Sequence, residues 1–396
     1  MIDIPKGYDP TSDRHAIVLA ELMALTAMTK ERRRGYWIPV GSRHWRKLIG
    51  SRYKYILDDL VVAGCVEVNN RYSVGSFSKS YRLSSPFRNP KMQTYRLGPT
   101  GELPNRVRIE DDDEIGQLLV EQFPRLKILG TATGWDGFCA SQIRQLRHYA
   151  TRCAFGRRFH SSFTGLKRRS RSFLVTTEGD SLVEIDVHNC QPLLLGILAI
   201  RKEQQQTEAR EQTPSNTHNT VYSICGAHKD LKRYLSLCSS GCLYEHLLKL
   251  CDGRITLRHC FSPERWHRHA TDRPLKRKDV KRQFLVALFE RPEITRRMPI
   301  FDIVGTEFPA VADFILTAKK QCHQDLARSC QRLESRVMID SACGAIFHDS
   351  PRTHVLTIHD AILTTPDAVP LVADCIKQAF EQFGIRPALS GCHLPL

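Results

Sequence analysis

The sequence has no apolar run long enough to cross a bilayer. Its longest early one, Ala16 to Met28, is short and interrupted by Glu21. No basic leader precedes it and no small-residue cleavage site follows, so neither a signal peptide nor a membrane span is expected. Internal repeats are absent, which excludes a solenoid or a propeller. Cysteine is too sparse for a disulfide framework, with 14 in 396 residues. Without an export signal, reduced thiols in a cytoplasm are expected. One local group, Cys238, Cys242, His246 and Cys251, fits no common zinc-ligand spacing and reads as buried thiols on a helix. Acid is outnumbered by base: 58 Lys plus Arg stand against 42 Asp plus Glu, leaving +16 at pH 7. Such an excess points to a polyanionic partner, most often nucleic acid, because each neutralised phosphate releases counterions. An acidic membrane surface is the competing target, but no lipidation signal or basic helix beside an anchor is present.

What is present begins with a small module over residues 14 to 85. Arg14 to Thr29 has helical apolar spacing, Tyr36 to Val40 is a short strand, and Ser42 to Gly50 is a short helix. A second amphipathic helix spans Ser51 to Cys65, with Ser51 as N-cap and Gly64 as its stop. Two strand-like runs follow, joined by a Gly-containing turn over Ser73 to Phe77. This order resembles that of winged-helix DNA-binding domains. The resemblance makes Arg52 and Lys54, which open the last helix, and Arg71, Lys79 and Arg82 on the wing, the expected contacts to a DNA duplex. The alternative is a wing that packs on the next domain or mediates dimerisation. From Pro86 to about Glu110 the composition turns to Pro, Asn, Arg and Gly, as in a linker. Arg201 to Thr220 is polar and Gln-rich, and a surface loop is expected there.

The chemistry starts at "LVEIDVHNCQPLLL", Leu182 to Leu195, where Asp186 sits inside an apolar, strand-like run that breaks into a leucine-rich helix. A buried carboxylate needs a cation, an ionic partner or a capping role. A second acid stands in "THVLTIHDAILTT", Thr353 to Thr365, whose alternation reads as a strand and its return arm with His359-Asp360 at the turn. A carboxylate at a hairpin tip and another at a neighbouring strand end can meet and hold two Mg²⁺ ions about 3.5–4 Å apart, the geometry of in-line phosphoryl transfer. Short Asp side chains suit the tight octahedral demands of Mg²⁺; Mn²⁺ is the other candidate ion. A cationic helix is expected over Asp272 to Glu293, with Pro274 in its first turn and Pro292 closing it. At about 100° per residue, Arg277, Lys281, Leu285, Leu288 and Phe289 share one face. Two cations beside an apolar and aromatic surface fit a triphosphate with its base alongside.

Taken in order, Asp186 in "EIDVHNCQP", then Arg277, Lys281 and Phe289, then Asp360 in "IHDAIL" resemble motifs A, B and C of the family A DNA polymerases and the related single-subunit RNA polymerases. Phe155 to Leu174 resembles that family's Gly-Arg stretch, and Cys330 to Ala342, which includes Gln331, its Gln-containing helix. The resemblance implies an α+β chain: a winged helix over 1–85, a linker over 86–110, a helical thumb-like segment over 111–152, and a palm and fingers with an antiparallel palm sheet over 153–396. It implies that Asp186 and Asp360 carry two Mg²⁺ ions, with the backbone carbonyl of Val187 as a further ligand. Arg277 and Lys281 would bind the nucleoside triphosphate, with Lys281 also a proton donor to pyrophosphate, and His359 would sit at the primer terminus. Arg157 or Arg158, both following Gly156, would hold the DNA primer-template, with Gln331 beside it.

Several positions depart from the family pattern. Gln191 stands where a sugar-discriminating Glu is usual, Phe289 where Tyr is usual, Leu285 where many members have Phe or Tyr, and Ala361 where an acid often follows motif C. Gln191 keeps the bulk to obstruct a ribose 2′-hydroxyl, but Phe289 has no hydroxyl to hold it. A deoxynucleotide preference weaker than the family's is therefore expected. No segment suits a proofreading exonuclease. The expected function is template-directed nucleotidyl transfer, in replication of a mobile element or phage by analogy alone. A primase or RNA polymerase on the same residues is one alternative, and a non-enzymatic replication initiator or DNA-binding regulator another.

Overall fold

A computed structural model describes residues 2–28, 37–73, 76–87, 92–98, 106–129, 140, 143, 148–211, 229–252, 254–260 and 272–393. The chain is a mixed α+β protein with small, largely antiparallel sheets. It divides into two compact units, one of residues 1–151, 160–182 and 394–396 and the other of 152–159 and 183–393. None of the described helices is long and apolar enough to cross a membrane.

The first unit opens with β1 (Ile2–Pro5) and α1 (Asp13–Met28). Then come β2 (Ile38–Pro39), α2 (Ser42–Ile49), α3 (Tyr53–Val62), β3 (Val66–Asn69) and β4 (Ser80–Leu83). The three strands form one antiparallel sheet in the order β2-β4-β3. Leu19 and Leu22 of α1, Trp45 of α2, and Leu57 and Leu60 of α3 bury together against Val66, Tyr81 and Leu83. Trp45 meets Tyr81 edge-on, with ring centroids 5.6 Å apart, a preferred aromatic arrangement. The tip of the turn expected over Ser73 to Phe77 lies outside the described residues, but its ends pair, Ser73 N–H donating to the Phe77 carbonyl at 2.9 Å.

The stretch from Pro86 to Glu110 is not a bare linker. Its strand β5 (Met92–Tyr95) pairs antiparallel with β1, Ile4 opposite Gln93. An open edge at β1 offers backbone donors and acceptors that a distant strand can satisfy, and local composition does not reveal such a pairing. Next come β6 (Arg106–Arg108), α4 (Glu114–Glu121), β7 (Leu126–Ile128), β8 (Tyr149–Arg152), β9 (Phe159–Ser161) and β10 (Leu174–Thr176). Asp113 caps α4 by accepting from the Gly116 N–H at 3.0 Å. The described residues of 111–152 include the eight-residue α4, a 3-10 turn (Phe123–Arg125), β7 and β8, with Ala140 and Ile143 also helical. In β7, Leu126 and Ile128 bury while Lys127 is exposed; that period-2 alternation suits the pairing with β10.

The second unit holds β11 (Val183–Val187), α5 (Cys190–Glu211), α6 (Lys229–Ser239), α7 (Leu243–Cys251) and α8 (Arg277–Phe289). These are followed by α9 (Pro299–Glu307), α10 (Pro309–Ala318) and α11 (Asp325–Ser335). A π-helical stretch (Arg336–Cys343) leads into α12 (Gly344–Asp349). Last are β12 (Leu356–Ile358), β13 (Ala361–Thr364), α13 (Val369–Glu381) and β14 (Leu389–His393). The sheet runs β12-β13-β11-β14 with every pair antiparallel. Arg201 to Glu211, expected as loop, continues α5: Gln, Glu, Ala and Arg are good helix formers whatever their polarity. Residues 212–220 lie outside the described residues.

One buried cation fastens the end of α8. Lys319 is 2% exposed and donates to the carbonyls of Ala287 and Glu290 at 2.7 and 2.8 Å and to Thr295 Oγ1 at 3.0 Å. These two carbonyls lie in and just past the last turn of α8, where carbonyls lack intrahelical donors and cations are favoured. Burial pulls the Lys319 ammonium down to about 8. Lys319→Met should lower stability by about 1–3 kcal/mol, because it strands buried acceptors. A urea titration followed by circular dichroism reads this as a lower midpoint; an unchanged midpoint would mean that water replaces the ammonium at no cost.

Candidate active site

Strand β11 lies between β13 and β14, so its backbone is paired on both edges. Val183, Ile185 and Val187 are buried at alternate positions, which leaves Glu184 and Asp186 together on the other face by strand periodicity. Asp186 is the penultimate residue of the strand and stands opposite Ala361. The β12–β13 loop is only His359-Asp360, and His359 adopts φ 57°. A two-residue hairpin needs a left-handed residue, and His tolerates that conformation better than bulky or β-branched residues do. The Val187 N–H donates to the Asp360 carbonyl at 3.2 Å, which fastens the hairpin tip to the end of β11. The two sequence-predicted aspartates are therefore neighbours at one end of the sheet, both half-buried.

Burial raises the Asp360 carboxyl above its ordinary range, Lys281 and Arg158 pull it back down, and Glu184 pushes it up. Both aspartates act on the fully buried Cys190 thiol, which desolvation raises far above the usual value. Among the described residues, no group of three or more His, Cys, Asp and Glu side chains could hold a metal. Two neighbouring aspartates nonetheless fit Mg²⁺, which often takes one or two protein carboxylates and completes its shell with water and substrate phosphate.

Helix α8 begins at Arg277 rather than near Pro274, where Asp279 accepts from the Lys276 N–H at 3.0 Å. It ends at Phe289, and Pro292 opens the next helical turn instead of closing this one. Its core face is Val280, Phe284, Ala287 and Leu288. Leu288 therefore leaves the cationic face, on which Arg277 and Lys281 are exposed and Leu285 and Phe289 half-buried. Both cations lie over the ring of Tyr244 in α7, at 5.5 Å for the Arg277 guanidinium and 6.0 Å for the Lys281 ammonium. Arg277 also pairs with Glu245. Tyr244 had no role in the sequence reading. It is 1% exposed, its hydroxyl has no hydrogen-bond partner among the described residues, and desolvation raises its pKa well above the ordinary value. Its position beside the leucines of "CLYEHLLKLC" marked it only as core.

The loop 152–159 lies along α11 and the π-helical stretch. Arg328 stacks on Phe155 at 5.1 Å, Arg332 donates to the Phe155 carbonyl at 3.1 Å, and Ser335 donates to the Arg157 carbonyl. Arg152 pairs with Asp340 at 2.8 Å. Arg158 forms a two-pronged pair with Glu334, at 2.6 and 2.7 Å. Arg157, at φ 57°, contributes its carbonyl to this docking. Glu334 is 2% exposed, and the sequence marks it only as part of a helix. The signal was there, since an acid four residues after Cys330 falls on the helix's buried stripe. Burial raises Glu334 above the usual carboxylate range, with Arg158 opposing. For Arg158 burial favours the neutral form, but Glu334 more than offsets it and the guanidinium's pKa is raised. The side chain of Gln191, half-buried in the first turn of α5, donates through Nε2 to Glu334.

Elsewhere the predicted residues are scattered. Arg52, Lys54 and Arg71 are exposed, and Lys79 donates to Asn70 Oδ1 at 2.7 Å. Arg82 is occupied in packing, over the Trp37 ring at 4.1 Å and bonded to Glu67 at 2.8 Å. A cleft of about 730 Å³ between α3 and the β3–β4 hairpin is lined by Lys54, Tyr72, Phe77 and Lys79. In the candidate zinc group, Cys238 and Cys251 are buried, Cys242 is exposed, and His246 bonds Glu307 at 2.8 Å.

No family model matches this chain, and no curated protein does. Among solved structures it is similar to the POL domain of Pol1 from M. smegmatis in complex with DNA primer-template and dNTP, at 12% identity and a TM-score of 0.31. The match covers 64% of this chain and spans half of that one.

Gly156 is the tightest point of the loop's docking. A Cβ there would lie 2.5 Å from Gln331 Oε1 and 2.7 Å from its Cβ. Gly156→Ala should destabilise the protein by about 1–3 kcal/mol, as overpacking does, and should loosen the 152–159 loop. Hydrogen exchange over residues 152–159 measures this, and unaltered protection would contradict the close docking.

Proposed function

We propose that this chain is a template-directed nucleotidyltransferase, a DNA polymerase of palm-and-fingers type, joined to a winged-helix DNA-binding module. The observation that carries this reading is the strand register that brings Asp186 and Asp360 to one sheet end, with Asp360 under the influence of Lys281 and Arg158. A phosphohydrolase would need more His and Asp ligands than stand here. A decayed scaffold would have no reason to keep both aspartates and both α8 cations.

On this reading Asp186 and Asp360 hold two Mg²⁺ ions, which would supply Lewis-acid stabilisation of the transferring phosphoryl group. Arg277 and Lys281 bind the triphosphate, exchanging their places on the Tyr244 ring for phosphate oxygens. The primer 3′-hydroxyl loses its proton to water and forms the new bond to the α-phosphorus as the bond to pyrophosphate breaks. Lys281 neutralises the departing pyrophosphate and can give it a proton. His359 lies at the hairpin tip for the primer terminus, and Gln331 beside Gly156 faces the primer-template side. The fit of Arg158 to Glu334 favours Arg158 over Arg157 as the ordered cation of the Gly-Arg loop. In the first unit, Arg52, Lys54, Arg71 and Lys79 are the phosphate contacts, while Arg82 shapes the sheet.

Asp186→Asn and Asp360→Asn should each reduce nucleotide incorporation by about 10³-fold or more, since a metal clamp supplies several kcal/mol and each ~1.4 kcal/mol is tenfold. Primer extension with Mg²⁺ measures this; near-parental extension by either variant sinks the assignment of that residue. The double variant should be scarcely worse than either alone, because both residues serve one clamp.

For the N-terminal module, Arg52→Ala with Lys54→Ala should weaken duplex binding. The slope of log affinity against log salt should shrink by about 2, close to one per lost phosphate contact. An unchanged slope by fluorescence anisotropy would assign the module to protein contacts.

A further inference from the structure

Glu334 carries a charge at the site that the reaction above leaves unused, and its two partners show what it does. One side of the carboxylate grips Arg158 through both oxygens. The other accepts from Gln191 Nε2. An ionised carboxylate only accepts, so this contact fixes which end of the Gln191 amide faces it. Gln191 Oε1 is thereby turned away from Glu334, and it is buried without a hydrogen-bond partner among the described residues. A buried acceptor left open in a site calls for a donor from a ligand.

The position of that ligand follows from the charges around Asp360. Two cations act on its carboxyl, Lys281 on α8 and Arg158 on the loop docked to α11. Phosphates belong on the α8 side, where Arg277 and Lys281 stand together. The sugar of the same nucleotide then falls toward Arg158, Glu334 and Gln191. The sequence reading left Gln191 without a holder because Phe289 has no hydroxyl; the structure supplies one from α11.

Resting on the proposed polymerase function, we infer that Glu334 is a positioning residue for sugar selection. It pins the Gln191 amide, which keeps its bulk against the 2′-position and directs Oε1 toward the 3′-hydroxyl that both sugars share. Selectivity against ribose is then built from α11 through Glu334, not from α8.

The test is the ratio of incorporation efficiencies for matched deoxy- and ribonucleotides, which a general loss of activity leaves unchanged. Glu334→Met removes the acceptor at similar bulk, and the ratio should move toward unity by about tenfold, the size of one lost charge-assisted hydrogen bond. Glu334→Gln keeps a carbonyl for Gln191 Nε2 and should hold the parental ratio. Gln191→Met cuts the same bond from a half-buried position and should reproduce the shift, whether or not Glu334→Met folds. In the double variant the two effects should not add. An unchanged ratio in Gln191→Met, or additive effects, would overturn the inference while leaving the polymerase reading in place. A parent protein that incorporates neither nucleotide would overturn that reading and the inference with it.

Discussion

Negative charge gathered at the end of a buried strand is the constraint around which the second unit is arranged. Asp360 is half-buried where desolvation penalises its ionised form, and the sheet register sets Asp186 at the same sheet end. Glu184 adds to that penalty, as a like charge does. The surrounding elements supply cations from two directions, α8 with Lys281 and the 152–159 loop with Arg158. Each needs its own support. Lys319 completes the carbonyls at the end of α8, and Glu334 holds Arg158 in a fork.

That fork also organises the loop. A buried ion pair adds little net stability, yet removing one partner from it costs about 3–5 kcal/mol because the other charge is stranded. Its larger effect is on geometry. With Arg158 fixed on Glu334, Gly156 must lie against Gln331 and the Arg157 carbonyl meets Ser335. The helix presents residues 328, 331, 332, 334 and 335 along the loop at helical spacing, so one docking event orders the whole segment. The loop that carries Arg158 is thus held by contacts within the protein itself.

The local rules of strand and turn were legible in the sequence, but not every cap: α3 starts at Tyr53 with Arg52 at its N-cap position and no side-chain cap, not from Ser51. Alternation around Asp186 and across the His359-Asp360 turn marked β11, β12 and β13, because period-2 patterning survives in a sheet with one apolar face. The helical period placed Arg277 and Lys281 on one face of α8. What composition could not reveal were pairings set by distant partners. Strand β5 exists because β1 has an open edge, and Glu334 matters because a loop some 176 positions earlier in the chain brings it Arg158. Polarity alone misassigned Arg201 to Glu211, where helix propensity prevails. The loss of Leu288 from the cationic face has a similar origin, since tertiary packing, not helix geometry, decides which side of α8 meets the core.

The central claim is that Asp186 and Asp360 together hold metal with a triphosphate. Manganese can stand in for magnesium and reports its own binding. Titrating Mn²⁺ into the full chain with a non-hydrolysable nucleoside triphosphate, followed by electron paramagnetic resonance, counts bound ions directly. The account predicts ions held by the protein–nucleotide complex beyond those held by the nucleotide alone, and their loss in Asp360→Asn. Binding no greater than that of the free nucleotide, or binding unchanged in the variant, would contradict it.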